Sequence, residues 1–314
     1  MLKLPGAVPA DWPDEGVAAH YGDPFREQRA LEGGTGFTDR SNRGVVTVTG
    51  PDRLSWLHSL TSQALDKLAP GEPAQALILD PNGRVEHHLT LTDDSETVWL
   101  HVEPGTAESL VAYLDSMRFM LRVEVADVTA EHAVLTGPDG DRIVPRDKLD
   151  ATAAELAANG GTPAGMWAFE ALRIAAHVPR LGVDTDHKTI PHEMGWIETA
   201  VALNKGCYRG QETVARVHNL GHPPRRLVFL HLDGSVERLP AHGDPVELDG
   251  TQVGWVGSTA RHYELGPIGL ALVKRTVPVD ATLLAGGVAA AQEVVVSPDA
   301  GANVQVTLRR RTLA

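Results

Sequence analysis

The chain of 314 residues is poor in cysteine and in positive charge, and each shortage excludes a class of protein. Its single cysteine, Cys207, excludes an intramolecular disulfide and a cysteine-rich zinc or iron–sulfur site made by this chain alone. Its 28 Lys and Arg against 41 Asp and Glu give a net charge of −13, which disfavours broad nucleic-acid binding. The three arginines at residues 309–311 are too few to reverse that balance, and they are predicted to form a solvated tail.

Long apolar runs are also missing. No stretch of about 18 apolar residues occurs, so no membrane span is expected. Acidic residues interrupt the N-terminal stretch at Asp11, Asp14 and Glu15, which is unlike a signal peptide and predicts a cytoplasmic protein. What the chain does have is length and 42% hydrophobic residues, enough for two or three domains with a substantial core.

Strand patterns dominate, with helices between them. A β-branched run at residues 45–49 ends at Gly50-Pro51, and Asp52 is suited to cap the helix that follows. Residues 76–79 and 85–91 predict a hairpin around the turn at residues 80–83. The other predicted elements are helices at 106–120, 151–159, 166–176 and 211–220 and a strand at 121–125.

From Arg225 onward the pattern changes to short apolar runs separated by glycine, proline and aspartate. Such spacing is typical of an all-β domain, and we predict a small barrel. Pro223-Pro224 is the predicted boundary.

Metal-binding patterns are incomplete. His192 and Glu193 begin a zinc-protease motif, but Trp196 stands where the second histidine is needed. The acidic and histidine side chains of residues 184–187 could touch a metal ion, although such a loop is more typical of surface turns. The sequence therefore predicts no metal site.

The only cysteine lies in the segment 205–213, KGCYRGQET. It precedes a predicted helix N-terminus and is two residues from Lys205, and both features favour a thiolate. Glycines at 206 and 210 allow close backbone approach or positive φ. A lone cysteine is most often a small buried hydrophobe, so a structural role is the alternative.

Residues 205–212 resemble the signature of the YgfZ family of folate-binding proteins, related to the T-protein (aminomethyltransferase) of the glycine cleavage system. Further stretches are similar to T-protein patterns and extend the resemblance over most of the chain: residues 36–41, 44–53, 171–174, 189–193, 254–258, 265–266 and 269–271. The eight-residue signature is the specific match among these.

The resemblance implies an α+β protein of three domains in a ring around a folate-binding channel. Residues 1–51 and 130–222 would form a split first domain that carries the signature. Residues 52–129 would form an inserted ferredoxin-like domain, and residues 223–314 the β-barrel.

The resemblance also implies site residues. Cys207 and Lys205 would be the reactive pair, and a reduced folate such as tetrahydrofolate would be the cofactor. In T-proteins a glutamate in the segment matching 189–193 binds the pterin, and Glu193 stands there; a carboxylate can accept two parallel N–H bonds from the pterin edge. The other implied cofactor-binding residues are Tyr208, Gly210, Gln211 and Arg216.

One departure concerns transferase chemistry. The T-protein has paired aspartates after a glycine-rich turn, and an ungapped alignment from Gly83 places His87 and His88 at those positions. The family implies instead a folate-dependent accessory role for iron–sulfur client proteins, including enzymes that thiolate tRNA, with no direct nucleic-acid or membrane contact. The alternative is a folate-dependent one-carbon transferase of the aminomethyl type.

Overall fold

The computed structural model describes residues 1–301. The arginines at 309–311 and the predicted end of the barrel at residue 314 lie outside the described residues. Within residues 1–301, no helix has both the length and the apolar character needed to cross a bilayer.

Seventeen strands and six α-helices form the described part of the chain. The strands are β1 Val8–Pro9, β2 Ala18–His20, β3 Gly36–Asp39, β4 Gly44–Thr49, β5 Pro73–Leu79, β6 Val85–Asp93, β7 Thr97–Val102, β8 Glu124–Asp127, β9 His132–Gly137, β10 Gly140–Pro145, β11 Thr162–Ala164, β12 Arg225–Leu232, β13 Pro245–Leu248, β14 Thr251–His262, β15 Gly266–Lys274, β16 Thr282–Ala285 and β17 Val288–Val294. The helices are α1 Pro24–Glu32, α2 Arg53–Leu60, α3 Ala107–Ser116, α4 Leu149–Ala158, α5 Met166–Ala175 and α6 Gln211–Leu220, with 3₁₀-helices at Arg146–Lys148 and Pro191–Met194.

A four-stranded sheet in the order β10-β9-β3-β11 joins the N-terminal part of the chain to residues 132–164. β11 pairs with β3 in parallel, and the other pairs are antiparallel. Helix α1 is capped by Asp23, whose carboxylate accepts from the backbone of Phe25 and Arg26, and Pro24 begins the helix.

A five-stranded antiparallel sheet in the order β5-β6-β7-β4-β8 forms the second unit. Its core is filled by leucines and valines of the sheet together with Trp56 and Leu57 of α2 and Leu110 and Leu114 of α3. β4 lies before residue 51 yet belongs to this sheet. The domain limits predicted at 51, 130 and 222 stay predictions.

Details of the second unit differ from the predicted pattern. Helix α3 ends at Ser116, four residues before the predicted end, and β8 begins at Glu124, three residues after the predicted start. Asp52 holds the N-cap position of α2 without a capping bond, because its carboxylate accepts from the backbone and guanidinium of Arg122.

Six strands close the C-terminal barrel, in the order β12-β15-β14-β13-β16-β17. Its first strand begins at Arg225, directly after Pro223-Pro224. Alternate residues of β12 serve two cores: Val228 and Leu230 fill the barrel, while Leu227 and Phe229 pack against residues from α5 and from the hairpin β5–β6. This shared core brings the barrel, the second unit and the segment 194–214 together.

Candidate functional site

A cavity of about 530 Å³ lies between the N-terminal segment, the start of α5 and the barrel. Trp12, Phe25 and Trp167 line it with large side chains that are 54%, 42% and 57% exposed. Its volume is in the range of small-molecule pockets, and its apolar walls are typical of them. Barrel residues 257–261 complete the wall.

Carboxylates reach the cavity from a buried ion cluster. Asp14 and Glu170 both line the cavity, and both contact Arg180: its Nη1 is 3.0 Å from Asp14 Oδ2 and 3.1 Å from Glu170 Oε1. Arg180 also donates to Glu103 of the second unit, with Nη2 2.8 Å from Oε2. One guanidinium therefore links the cavity wall to the second unit.

Charge is strongly stabilised in this cluster. Burial alone would raise the pKa of Glu103, but Arg43 and Arg180 hold that pKa well below its usual range. Burial alone would lower the pKa of Arg180, but Glu170, Glu103 and Asp14 raise it above its ordinary value. Asp14 differs, because burial outweighs its contacts with Arg180 and raises the pKa of its carboxyl. Charge is therefore stabilised most at Glu103 and Arg180.

A second arginine extends the cluster to the barrel. Arg173 on α5 donates to Glu170, to Asp184 with Nη1 3.0 Å from Oδ2, and to the hydroxyl of Ser258 on β14. Gly257 beside that serine could not carry a side chain, because a Cβ there would lie 2.2 Å from Asp184 Oδ1. The acidic loop at 184–187 thus pairs with arginines.

Several residues of the signature segment make contacts that hold it in place. Tyr208 is 8% exposed and packs in the shared core, and burial raises its pKa to about 12. Gly210 has φ +81°, and a Cβ there would lie 2.6 Å from Asp80 O in the hairpin turn. Gln211 donates weakly to Lys205 O at 3.5 Å, and Arg209 pairs with Glu86 at 3.0 Å.

The ammonium of Lys205 is bound near the C-terminal end of α2. Its ammonium donates to three backbone carbonyls, those of His58, Thr61 (2.5 Å) and Gln63 (3.0 Å). Burial lowers its pKa to about 8, while Asp66 acts to raise it. The role of Lys205 in a reactive pair stays a prediction.

Cys207 is exposed and free. Within residues 1–301 its thiol has no hydrogen-bond partner, in contrast to the side chains of Lys205 and Arg209. Gly206 is equally open: nothing lies within 4 Å of a Cβ built there, and its φ is not positive. The predicted need for a glycine therefore holds at 210 but not at 206.

The helix that follows begins and ends at the predicted residues, Gln211 and Leu220. Within this helix Val214 is buried, whereas Leu220 is 64% exposed. Arg216 is exposed, and no ion pair joins it to Glu212 in the described part of the chain.

Glu193 lies in the 3₁₀-helix Pro191–Met194 and is fully buried. Arg225 binds both of its carboxylate oxygens, with Nε–Oε1 and Nη2–Oε2 distances of 2.8 Å. The same guanidinium pairs with Asp186 at 2.6 Å. Glu193 does not line the cavity described above, and its predicted contact with a pterin stays a prediction.

The two histidines of β6 point to opposite faces, as alternation requires. His87 is buried. His88 lies on the other face, with its Nε2 3.0 Å from Gln75 Oε1 and its ring 4.7 Å from that of Trp196. Burial lowers the pKa of each to about 4, so both are neutral at pH 7. Neither can replace the negative charge of an aspartate.

Sequence reasoning missed the cavity. Its tryptophans and carboxylates come from two stretches more than 150 residues apart, around residues 12 and 168, and its barrel wall comes from residues 257–261. No spacing marks them as one site. Within residues 1–301 no group of three or more His, Cys, Asp or Glu side chains is arranged to hold a metal ion.

Comparison with known proteins gives matches over most of the chain. Residues 18–158 match the GCVT N-terminal domain, and residues 225–313 match the glycine cleavage T-protein C-terminal barrel domain. An aminomethyltransferase of Listeria monocytogenes is 26% identical, over 87% of this chain and 90% of its own length. A chloroplastic putative transferase of Arabidopsis thaliana is 24% identical, over 83% of this chain and 70% of its own length.

A solved structure is similar throughout. The glycine cleavage system aminomethyltransferase T from Bartonella henselae matches 92% of this chain and 93% of its own, with a TM-score of 0.79 at 17% identity. This likeness confirms the predicted fold class. The chain therefore carries the GCVT N-terminal domain and the glycine cleavage T-protein C-terminal barrel domain on a T-protein-like α+β fold that includes a closed six-stranded barrel.

Proposed function

We propose that this protein binds a reduced folate, tetrahydrofolate or a derivative of it, in the cavity between the N-terminal segment, α5 and the barrel. The observation that carries the proposal is the pairing of exposed tryptophans with buried carboxylates in one cavity of about 530 Å³. A pterin is a flat ring with an edge of N–H donors. Trp12 and Trp167 offer stacking surfaces, and Asp14 and Glu170 offer acceptors.

The carboxylates are oriented before any ligand arrives. Asp14 accepts two bonds from Arg180 and one from Asn42, and a carboxylate has about four acceptor positions. A pterin N–H can therefore be accepted without breaking the ion pair. Fixed acceptors of this kind lower the cost of binding, because no side chain has to be ordered.

The family resemblance implies a different location for the pterin, at Glu193. Both of its oxygens accept from Arg225, so a ligand there has to displace or share that guanidinium. The signature residues Tyr208, Gly210, Gln211 and Arg216 would contact folate in that arrangement. We favour the cavity, because Trp12 and Trp167 are more than half exposed there, although a histidine ring lies beside each of them, His242 and His20.

Titration of the protein with tetrahydrofolate under reducing conditions, read by calorimetry and tryptophan fluorescence, tests the proposal. Trp167→Ala should weaken binding by about 1–3 kcal/mol, roughly 5- to 150-fold, as for loss of a stacked ring. Phe119→Ala is the matched control, because Phe119 is an aromatic side chain 95% exposed outside the cavity.

The two locations give opposite results. If Glu193→Gln loses roughly 30- to 150-fold in affinity while Trp167→Ala binds as wild type, the pterin lies at Glu193 and the cavity proposal is wrong. If no reduced folate binds at all, the folate proposal itself fails. Circular dichroism of each variant shows whether it has kept the wild-type fold.

We further propose that the protein is an accessory factor for iron–sulfur client enzymes, including those that thiolate tRNA, and is not an aminomethyltransferase. The support is the signature resemblance, the exposed Cys207, and neutral histidines at the positions of the T-protein aspartates. Cells carrying Cys207→Ala should lose client activity while the protein level stays normal.

The second candidate is a folate-dependent one-carbon transferase. The names of the relatives favour it, since a protein similar over 87% of this chain is an aminomethyltransferase. Folate-dependent release of ammonia from a lipoyl-carried aminomethyl group, measured beside an authentic T-protein, separates the two. We expect no turnover above background, and comparable turnover would establish the transferase.

A further inference from the structure

Lys205 joins the signature segment to the second unit of the molecule. Its ammonium lies at the C-terminal end of α2, where it donates to the carbonyls of His58, Thr61 and Gln63. The ring of Tyr208 lies beside it, 5.1 Å from Nζ to the ring centroid. The three carbonyl contacts link Lys205 to residues more than 140 positions earlier in the chain.

We propose that Lys205 is a positioning residue: its ammonium caps the C-terminal end of α2 and thereby fixes the loop that presents Cys207 to solvent. This inference rests on the proposed role of Cys207 and assigns Lys205 a part in it that differs from activation of the thiol. Within residues 1–301 the thiol makes no hydrogen bond, so the loop position depends on its neighbours.

A cation is the suitable group at this place. The last carbonyls of a helix have no partner within it, and they carry the negative end of the helix dipole. An ammonium has three donors and Lys205 uses them on three carbonyls. The titratable groups near it are Asp66, which favours the ammonium, and His58. The Nδ1 atom of His58 accepts from Leu65 N at 3.2 Å and lies 3.2 Å from Asp66 Oδ1.

The loop up to Ala202 has other attachments. Ala202 N donates to Ser62 O at 2.9 Å, Ser62 Oγ donates to Ala200 O at 2.7 Å, and Gln63 Nε2 donates to Thr199 O at 3.1 Å. These bonds do not involve Lys205. Removal of the ammonium should therefore release residues 203–207 and leave the fold intact.

The experiment uses Lys205→Met, which keeps the approximate length of the side chain and removes its charge. Lys205→Arg is compared with it, because arginine keeps the positive charge and the N–H donors. Lys188→Met, at an exposed lysine, is the control. Hydrogen exchange of residues 203–207 should rise about tenfold or more in Lys205→Met. The alkylation rate of Cys207, the only thiol in the chain, should change at least about threefold, as expected when the thiol environment changes.

Lys205→Arg should lie closer to wild type than Lys205→Met in both measurements, and Lys188→Met should match wild type. Wild-type exchange and alkylation in Lys205→Met would overturn the inference, as would equal effects of the methionine at 188 and at 205. Tetrahydrofolate affinity is measured on the same samples. If the wild-type protein does not bind tetrahydrofolate, only the folate proposal is refuted, because the loop measurements need no ligand.

Discussion

The cavity and the signature segment differ in how their side chains are held in place. The cavity is assembled from distant stretches of the chain, and a buried ion cluster centred on Arg180 fixes its polar side chains. The signature is eight consecutive residues, and its side chains hold a loop while one side chain, Cys207, stays free. In the cavity the groups proposed to bind are part of the structure, whereas in the signature the structure surrounds the one side chain proposed to react.

The largest effect should come from Arg180→Met. The variant would leave the carboxylates of Asp14, Glu103 and Glu170 buried without their shared cation, and breaking a buried ion pair costs about 3–5 kcal/mol. Urea unfolding measures this loss. Arg122→Met is the control, because Arg122 is 73% exposed in its pair with Asp52; a similar loss there would show that burial is not the cause.

Acid should destabilise the protein through its buried histidines. Burial lowers the pKa of His87, His101 and His192 from 6.5 to about 4. Below pH 6.5 the unfolded chain therefore binds protons that the folded protein does not, so stability falls as pH drops from 6.5 toward 4. The loss is on the order of 1–3 kcal/mol for each histidine.

His192→Phe sharpens that test. Within the described residues, neither ring nitrogen of His192 has a hydrogen-bond partner, so phenylalanine removes the titration without breaking a bond. The curve of unfolding free energy against pH should be shallower between 6.5 and 4. His187→Phe, at an exposed position, should follow wild type; an unchanged curve for His192→Phe would contradict the assignment.

The sequence predicted secondary-structure elements better than it predicted contacts between distant side chains. Helix α6 has its predicted bounds because Gly210 and Gly221 flank an uninterrupted helical run, and the barrel follows from short apolar runs between turns. Local spacing could not reveal that Arg225 binds Glu193 or that Arg180 joins Asp14 to Glu103, since such pairs depend on how separate units pack. For the same reason local spacing could not reveal that the Lys205 ammonium donates to three backbone carbonyls 142 to 147 residues away. The predicted reactive pair stays a prediction.

Gly210→Ala should break the signature without touching its cysteine. The residue has φ +81°, and its Cβ would meet Asp80 O at 2.6 Å and Gly83 Cα at 2.9 Å. Backbone strain of this kind costs about 1–3 kcal/mol. Gly206→Ala is the matched control, where open space predicts no loss. Equal stability of the two variants in thermal unfolding would show that the hairpin contact is unimportant.

Cys207→Ser should have the smallest effect on stability among these variants. It therefore tests the cavity and the signature segment separately. Because the thiol is exposed and makes no hydrogen bond within residues 1–301, serine should change the free energy of unfolding by no more than about 0.5 kcal/mol. Tetrahydrofolate affinity should also match wild type, since Cys207 does not line the cavity. A stability loss above about 1 kcal/mol would instead indicate the structural role of a buried cysteine. Unchanged stability and folate affinity together with lost iron–sulfur client activity would separate the two regions: the cavity binds the folate, and the loop supplies the chemistry.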